Sequence, residues 1–367
     1  MRCMNKIKVL FLNDELVGGG AEKVLRNLVN HMDPGKFCIT VLTLRHTPPE
    51  RYLAPHIRYK AIHRRGSPLL DLWLRLGIRM GWAYPLVIRE KYDVEIAFLE
   101  CFPTKLLARS TNKASLKLAW VHCDLEKKHL RPSYFSSYRC FDRVICVSRS
   151  VQERYSRLTG RTADVLKNVV DEQEMLEKAK EFQPKSYGNF TFAAAGRLSP
   201  EKGFDRLISA ARRLESEGFS FTLWLLGDGR SRPDLEAAAG DNVIFLGFQE
   251  NPYPYMAAVD AIVLPSRTEG SSTVAAEAMI LGKPIVATDC PGMADLLAGC
   301  GLLTENSEAG IYDGMKRLLT DPTLREHLAA AAKERGRRFS KEESVRQVED
   351  YLLQALEEKR GSPWKFT

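Results

Sequence analysis

The chain has 367 residues, 44% of them hydrophobic and 27% charged, with a formal charge of +8 at neutral pH. That length exceeds one ordinary hydrophobic core and predicts two domains, and the composition is that of an ordinary soluble protein. No apolar run approaches roughly eighteen residues, and the opening MRCMNKIKVLFL leads into a strand rather than a cleavable signal, so a cytoplasmic protein without a spanning helix is expected.

Charge is unevenly distributed. Residues 1–167 carry 30 Lys and Arg against 15 Asp and Glu, whereas the remainder carries 24 against 31. A basic half suits anionic lipid, nucleic acid or a pyrophosphate-linked substrate. Nucleic acid is the weaker choice, because no recognition motif or aromatic RNA-binding pattern accompanies the charge. The eight cysteines, Cys3, Cys38, Cys101, Cys123, Cys140, Cys146, Cys290 and Cys300, form no C-x-x-C pair. Several sit in apolar runs, which predicts buried thiols, and no histidines join them at zinc-ligand spacing.

In chain order, IKVLFL at Ile7–Leu12 reads as a buried strand, followed by Gly18-Gly19-Gly20 and a helical AEKVLRNLVNHM. Strand, glycine loop and helix open a Rossmann-like unit. The dinucleotide fingerprint is absent, so NAD binding is not supported, and taken alone the glycines are better explained by a tight turn than by phosphate approach. CITVLTL at Cys38–Leu44 is the next strand. From Leu69, the apolar residues Leu69, Trp73, Leu76, Met80, Tyr84 and Val87 recur at three and four, flanked by Arg64, Arg65, Arg89 and Lys91. The favoured expectation is a helix packed on its own sheet; the alternative is a face resting on an anionic membrane. Gly77, Gly81 and Pro85 argue against one straight helix. VEIAFLE, LKLAWVHCD and DRVICVSRSVQERY are further strand-to-loop transitions, and His122 lies just past one of them, where parallel sheets carry function.

The second half opens with TFAAAGRLSPEKGFDRLISAARRL, a strand at Phe190–Ala195 feeding Gly196 and Arg197, then Lys202-Gly203 before an amphipathic helix. An Arg and a Lys five apart around such a loop can converge on one diphosphate, the Arg as a planar fork and the Lys as a point charge. Strands follow at FTLWLL and VIFLGF. The organising stretch is Ala261–Leu296: AIVLP and PIVAT are short strands, and between them Thr273–Leu281 is helical, with Ser271 and Ser272 as N-cap candidates. A helix N-terminus at the carboxyl end of a parallel strand favours an anion. Glu269 precedes that helix and Glu277 lies on its second turn. Carboxylates repel phosphate but accept from hydroxyls, so the pair suits a ligand carrying both diphosphate and polyol, as a nucleotide sugar does. Two solvated acids near a helix start are the equal alternative.

Glu269, seven intervening residues and Glu277, followed by Ala278-Met279, Gly282-Lys283-Pro284 and Ala287-Thr288-Asp289, resemble the donor-site signature of retaining GT-B glycosyltransferases of the glycogen-synthase-like family 4. One departure is that Ser271 and Ser272 follow Gly270, where many members have an aromatic or Leu and then Gly or Pro. The resemblance spans nearly the whole chain. It implies an α/β GT-B fold, with two Rossmann-like domains facing across a cleft and a C-terminal helix crossing back to the first. The corresponding boundaries are 1–167, an acceptor domain; 168–337, a nucleotide-sugar domain, the crossing between them falling within DVLKNVVD at Asp164–Asp171; and 338–367, the returning helix.

The resemblance also implies roles. Donor binding falls to Gly18, Gly19, Gly196, Arg197, Lys202, Gly247, Phe248, Glu269, Gly270, Ser271, Ser272, Thr273 and Glu277. His122, Arg197, Lys202 and Glu269 form the catalytic set, with no metal and no cofactor beyond the nucleotide-sugar co-substrate, expected to be a UDP-sugar. The expected partners are that donor and a saccharide acceptor, polyprenyl-pyrophosphate-linked, with the basic first domain near an anionic inner membrane face. Bacterial exopolysaccharide or lipopolysaccharide assembly is the corresponding process. A nucleotide-sugar 2-epimerase of similar fold and a non-catalytic interaction subunit are the alternatives.

Overall fold

The computed structural model describes residues 6–17, 19–63, 67–126 and 132–361, the side chains of residues 132 and 133 excepted. The chain divides into two compact units, Met1–Val169 together with Glu342–Thr367, and Val170–Lys341.

The first unit is built on seven parallel strands: β1 (Ile7–Asn13), β2 (Phe37–Arg45), β3 (Arg58–His63), β4 (Val94–Ala97), β5 (Leu116–Val121), β6 (Arg143–Cys146) and β7 (Asp164–Val165). Their order is β3-β2-β1-β4-β5-β6-β7. Parallel strands covered on both faces read as continuous apolar runs rather than alternating ones, and β1 and β4 are buried accordingly. Val9 is paired with Ile39 on one side and Val94 on the other, so β1 is central. Helix α1 (Gly20–His31) buries Val24, Leu25, Leu28 and Val29. The terminal helix Lys341–Arg360 belongs to this unit: Val345, Val348, Leu352, Ala355 and Leu356 enter its core. Polar contacts fix its register. The Asp33 N–H donates to Glu349 Oε1 at 2.6 Å, Tyr351 donates to Asp164 at 2.6 Å, and Lys359 to Asp142 at 2.6 Å.

The segment after β3 departs from the expected helix with its apolar stripe packed on the sheet, and it breaks at Gly81, one of the residues that argued against one straight helix. Helix α2 (Pro68–Met80) stops at Gly81, whose φ of 88° supplies a left-handed cap, and a short α3 (Ala83–Val87) follows. Leu74 and Gly77 are the buried positions of α2, while its apolar stripe faces outward. Packing selects the Leu74 side because Trp82 folds over Gly77, where a Cβ would come within 2.6 Å of the indole. Arg64 and Arg65 lie outside the described residues.

The second unit carries six parallel strands: β8 (Phe190–Ala195), β9 (Phe221–Leu226), β10 (Val243–Gly247), β11 (Ala261–Leu264), β12 (Ile285–Thr288) and β13 (Leu302–Thr304), in the order β10-β9-β8-β11-β12-β13. Alternate residues feed opposite faces: Phe192, Ala194, Leu223 and Leu225 join one core cluster, Ala193, Trp224 and Leu226 the other. Among the described residues six cysteines are free, but Cys38 is disulfide-bonded, a pairing that no spacing motif announced and that corrects the expectation of thiols throughout. No described helix is long and apolar enough to cross a membrane.

Candidate active site

In an open parallel sheet, ligands bind outside the carboxyl ends of the strands where the order reverses, because the loops there diverge and leave a crevice. In the second unit that point lies between β8 and β11. Two loops flank it. The β8 loop runs from Gly196 to Gly203, and the β11 loop from Pro265 to Ser272, which caps the Thr273–Ile280 helix by accepting from the Ala275 N–H at 3.2 Å.

The two loops are tied together by backbone and arginine contacts. The Arg267 N–H donates to Glu201 O at 2.8 Å, and its guanidinium grips Asp205 through two bonds of 2.8 and 2.6 Å. Arg206 donates to Pro265 O at 2.8 Å. Gly203 makes this approach possible: its φ is +70°, and a Cβ would lie 2.1 Å from Pro265 O. On the far side Gly292, φ +83°, lets the next loop come against Gly270, where a Cβ would lie 2.4 Å from the carbonyl oxygen.

The crevice between the loops is narrow and open to solvent, lined by residues that include Ala195, Lys202, Phe204, Ser266, Glu269 and Ser272. Lys202 Nζ donates to Glu269 Oε1 at 2.6 Å, and Ser266 Oγ donates to the same oxygen at 2.7 Å. Residues 67 positions apart in sequence are thereby joined as cation and carboxylate at one mouth. Thr288 supports them from β12, donating to Ser266 O at 2.5 Å.

Arg197 is exposed at the end of β8. Burial raises the affinity of Glu201 for a proton, but the Ser199 hydroxyl, its own backbone N–H and the charges of Lys202 and Arg197 outweigh that and hold it below the usual carboxylate range. Beneath the pocket, burial and then the Glu269 charge push the Cys290 thiol up to about 12, which keeps it neutral.

The other residues singled out from the sequence sit at various depths. Glu277 is buried to 4% exposure on the Thr273–Ile280 helix and does not line the pocket. Gly270 is buried, and Ser271 and Thr273 are half-buried beside it. Gly247 ends β10 with φ +70°, its carbonyl accepting from the Gly227 N–H at 2.8 Å, and Phe248 beyond it is 67% exposed. Gly196 follows β8 with φ +152°. Among the described residues no three His, Cys, Asp or Glu gather as a metal-binding group.

In the first unit the strand order reverses between β1 and β4. Gly19 caps α1 in the loop after β1, while Gly18 lies outside the described residues. His122 follows β5, its ring 4.7 Å from that of Phe98 and stacked on Trp120 at 6.1 Å. Its backbone N–H donates to Glu100 Oε1 at 2.6 Å, and the Cys123 N–H to the same oxygen at 3.0 Å. Glu100 is 4% exposed and precedes Cys101, whose φ of 67° makes it the one non-glycine with positive φ among the described residues. Asp124 pairs with Arg154.

Sequence reasoning passed over Ser266, Glu100 and Phe204. Ser266 had a signal, a hydroxyl directly after the strand-ending Pro265. Glu100 had only its place after β4, and Phe204 none beyond its apolar character.

Residues 189–321 match the family described as Glycosyl transferases group 1, and residues 18–174 that described as Glycosyltransferase Family 4. Over 357 residues the chain is 31% identical to LpsE of Rhizobium meliloti, a lipopolysaccharide core biosynthesis glycosyltransferase, covering 93% of this chain and 96% of LpsE. LpsD of the same organism is 29% identical over 57% of this chain and 63% of its own length, so the chain spans somewhat under two thirds of that relative. A Campylobacter jejuni 4-alpha-N-acetylgalactosaminyltransferase named for an N-acetylgalactosamine-N,N'-diacetylbacillosaminyl-diphospho-undecaprenol acceptor is 31% identical over 53% of this chain and 55% of its own. Among solved structures, HepE of Anabaena in complex with UDP-glucose shares the fold, with a TM-score of 0.74 at 21% identity over 94% of this chain and 99% of that one. The fold and site therefore define a GT-B protein with two Rossmann-like sheets. The chain belongs to the family 4, group 1 glycosyltransferases, and it is an enzyme of the hexosyltransferase type.

Proposed function

We propose that the protein transfers a hexose from a UDP-sugar, with retention of anomeric configuration, to a polyprenyl-diphosphate-linked saccharide during assembly of a bacterial cell-surface polysaccharide or lipopolysaccharide. The observation that carries the donor half is the Lys202–Glu269 contact at the β8/β11 crevice, with Ser266 on the same carboxylate. A cation and a hydroxyl-accepting carboxylate within one small pocket match the two ends of a sugar diphosphate. Similarity to HepE, crystallised with UDP-glucose, supports UDP as the carrier, and the name of the Campylobacter relative supports a diphospho-polyprenol acceptor.

In this reading Lys202 and Arg197 compensate charge growing on the departing diphosphate, aided by the N-terminal N–H groups of the Thr273–Ile280 helix. No metal or other cofactor is assigned to the step. Glu269 accepts from sugar hydroxyls, Glu277 is assigned to the nucleotide ribose, Gly247 and Phe248 to the base, and His122 of the first unit to the transferred sugar. The bond from the anomeric carbon to the diphosphate breaks, the acceptor oxygen bonds to that carbon on the same face, and the acceptor proton passes to the leaving phosphate oxygen.

Thermal denaturation against a panel of nucleotide sugars tests the donor half. One nucleotide class should stabilise the wild type, by about 2.7 kcal/mol at a hundredfold excess over Kd, and the Arg197→Ala, Lys202→Ala variant far less. With the stabilising donor and an undecaprenyl-diphospho-saccharide, Lys202→Ala should lower kcat by about 100- to 1,000-fold, and NMR of the product should give the donor's anomeric configuration. Absence of any nucleotide effect, or an inverted product, would overturn the reading.

A further inference from the structure

The ten large hydrophobic side chains that stand exposed in the described structure are not scattered. Six of them, Leu69, Leu72, Trp73, Leu76, Met80 and Leu86, fall on α2 and α3, and Leu69, Leu72 and Met80 are 65% exposed or more. On α2 they recur at three and four residues, which places them on one face, and the turn angle of the helix sets that face away from buried Leu74.

The helix does not depend on that face for its order. Ser67 caps its start by accepting from the Leu70 N–H, Pro68 occupies the first turn, Gly81 ends it, and Trp82 clamps Gly77 from the protein side while its ring meets Trp73 at 4.4 Å. The apolar stripe thus stands on a helix whose ends and inner face are fixed by other contacts. Isolated exposed leucines are ordinary, but a contiguous apolar face of this kind marks an interaction surface.

Its borders say what covers it. Arg75 and Arg79 are exposed on α2, next in turn angle to Leu72, and make no ion pair among the described residues. Arg89 and Lys91, also exposed, follow α3. The half of the chain that contains them has 30 basic against 15 acidic residues. A second copy of the chain meeting this face about a two-fold axis would set the same arginines against each other. A leaflet of anionic phospholipid satisfies both borders: acyl chains take the leucines and Met80, Trp73 sits at headgroup depth, and the arginines reach phosphate.

We propose that α2 docks the protein on an anionic lipid bilayer by burying the Leu69–Met80 face in one leaflet. The proposal does not rest on the donor or acceptor assignment, and vesicles that contain no saccharide lipid test it.

The full-length protein is sedimented with vesicles of phosphatidylglycerol and phosphatidylethanolamine, and with vesicles of phosphatidylcholine alone. The wild type should partition onto the first at least tenfold more strongly, with the preference falling as salt rises. Leu72→Gln, Leu76→Gln together should reduce binding at least tenfold, and Arg75→Gln, Arg79→Gln should remove most of the preference, on the order of fivefold per arginine. These side chains are exposed, so thermal midpoints should stay within a degree or two of wild type. Brominated lipid should quench tryptophan emission in the wild type and much less in Trp73→Phe. Equal binding by the leucine variant would overturn the proposal, as would wild-type self-association in sedimentation velocity that the leucine variant abolishes without vesicle binding.

Discussion

The two sheets share a topology and differ in what their reversal points hold. Between β8 and β11 the loops meet through arginine and backbone bonds, and the charged pair Lys202–Glu269 stands at a solvent-open pocket. The corresponding loop after β4 in the first unit turns its carboxylate inward: Glu100 is buried and holds the backbone of the His122 turn, beside the Phe98 and Trp120 rings. One loop set holds its charged pair at an open crevice, whereas the other uses charge to shape its own chain. The topology supplies the crevice, and the loop residues decide its use.

Substitution at Gly203 tests the first half of that contrast most severely. Gly203→Val places a branched side chain at positive φ with its Cβ against Pro265 O, so the loop must move. A loss on the order of 3 kcal/mol in chemical denaturation and loss of nucleotide-dependent stabilisation are expected. Wild-type nucleotide binding in this variant would show that the loop approach does not form the pocket.

Glu100 sharpens the other half. Glu100→Ala leaves the N–H groups of His122 and Cys123 without their acceptor and should cost about 1–3 kcal/mol of stability. Glu100→Gln keeps an acceptor oxygen and should recover most of it. If Glu100 acts only by shaping the turn, nucleotide-induced stabilisation of both variants should match wild type. A selective loss of that stabilisation would instead make Glu100 a ligand contact, the role proposed for Glu269.

At neutral pH the smallest effect comes from thiols, one in each core, because it appears only as the solution turns alkaline. Burial pushes Cys146 of the first unit and Cys290 of the second up to about 12. A thiol whose folded pKa is raised is neutral in the fold but ionised in the unfolded chain once pH passes the ordinary thiol value. The unfolded state then binds fewer protons, and stability falls as pH rises. Each should make stability fall, by at most on the order of 1 kcal/mol per pH unit, as pH rises above about 9. Denaturation midpoints across alkaline pH, compared between wild type and Cys146→Ala or Cys290→Ala, check this. An unchanged slope in both variants would count against the burial account. Exposed Cys140 should alkylate first and leave nucleotide binding unaltered.

Much of this architecture was readable because it is local. The strand at Phe190–Ala195 and the strand, loop, helix and strand of Ala261–Leu296 announce themselves through β-branched runs, capping serines and glycine stops within short windows. Strand β3 was not readable: RYKAIH lies at a sheet edge, mostly half-buried or exposed, and carries no continuous apolar run. Ser266 and Glu100 escaped because their importance depends on partners, Glu269 in one case and the His122 turn in the other.

The sequence by itself determined the two parallel sheets and the family, since periodicity, turn residues and motif spacing are properties of the chain alone. Tertiary structure alone decided which atoms meet and which faces are covered. It joined Lys202 to Glu269 through the packing of two loops, and it turned the apolar stripe of α2 outward because Trp82 and Leu74 claim the opposite side. Periodicity records that a helix has an apolar face, but only the placement of every neighbour determines where that face points.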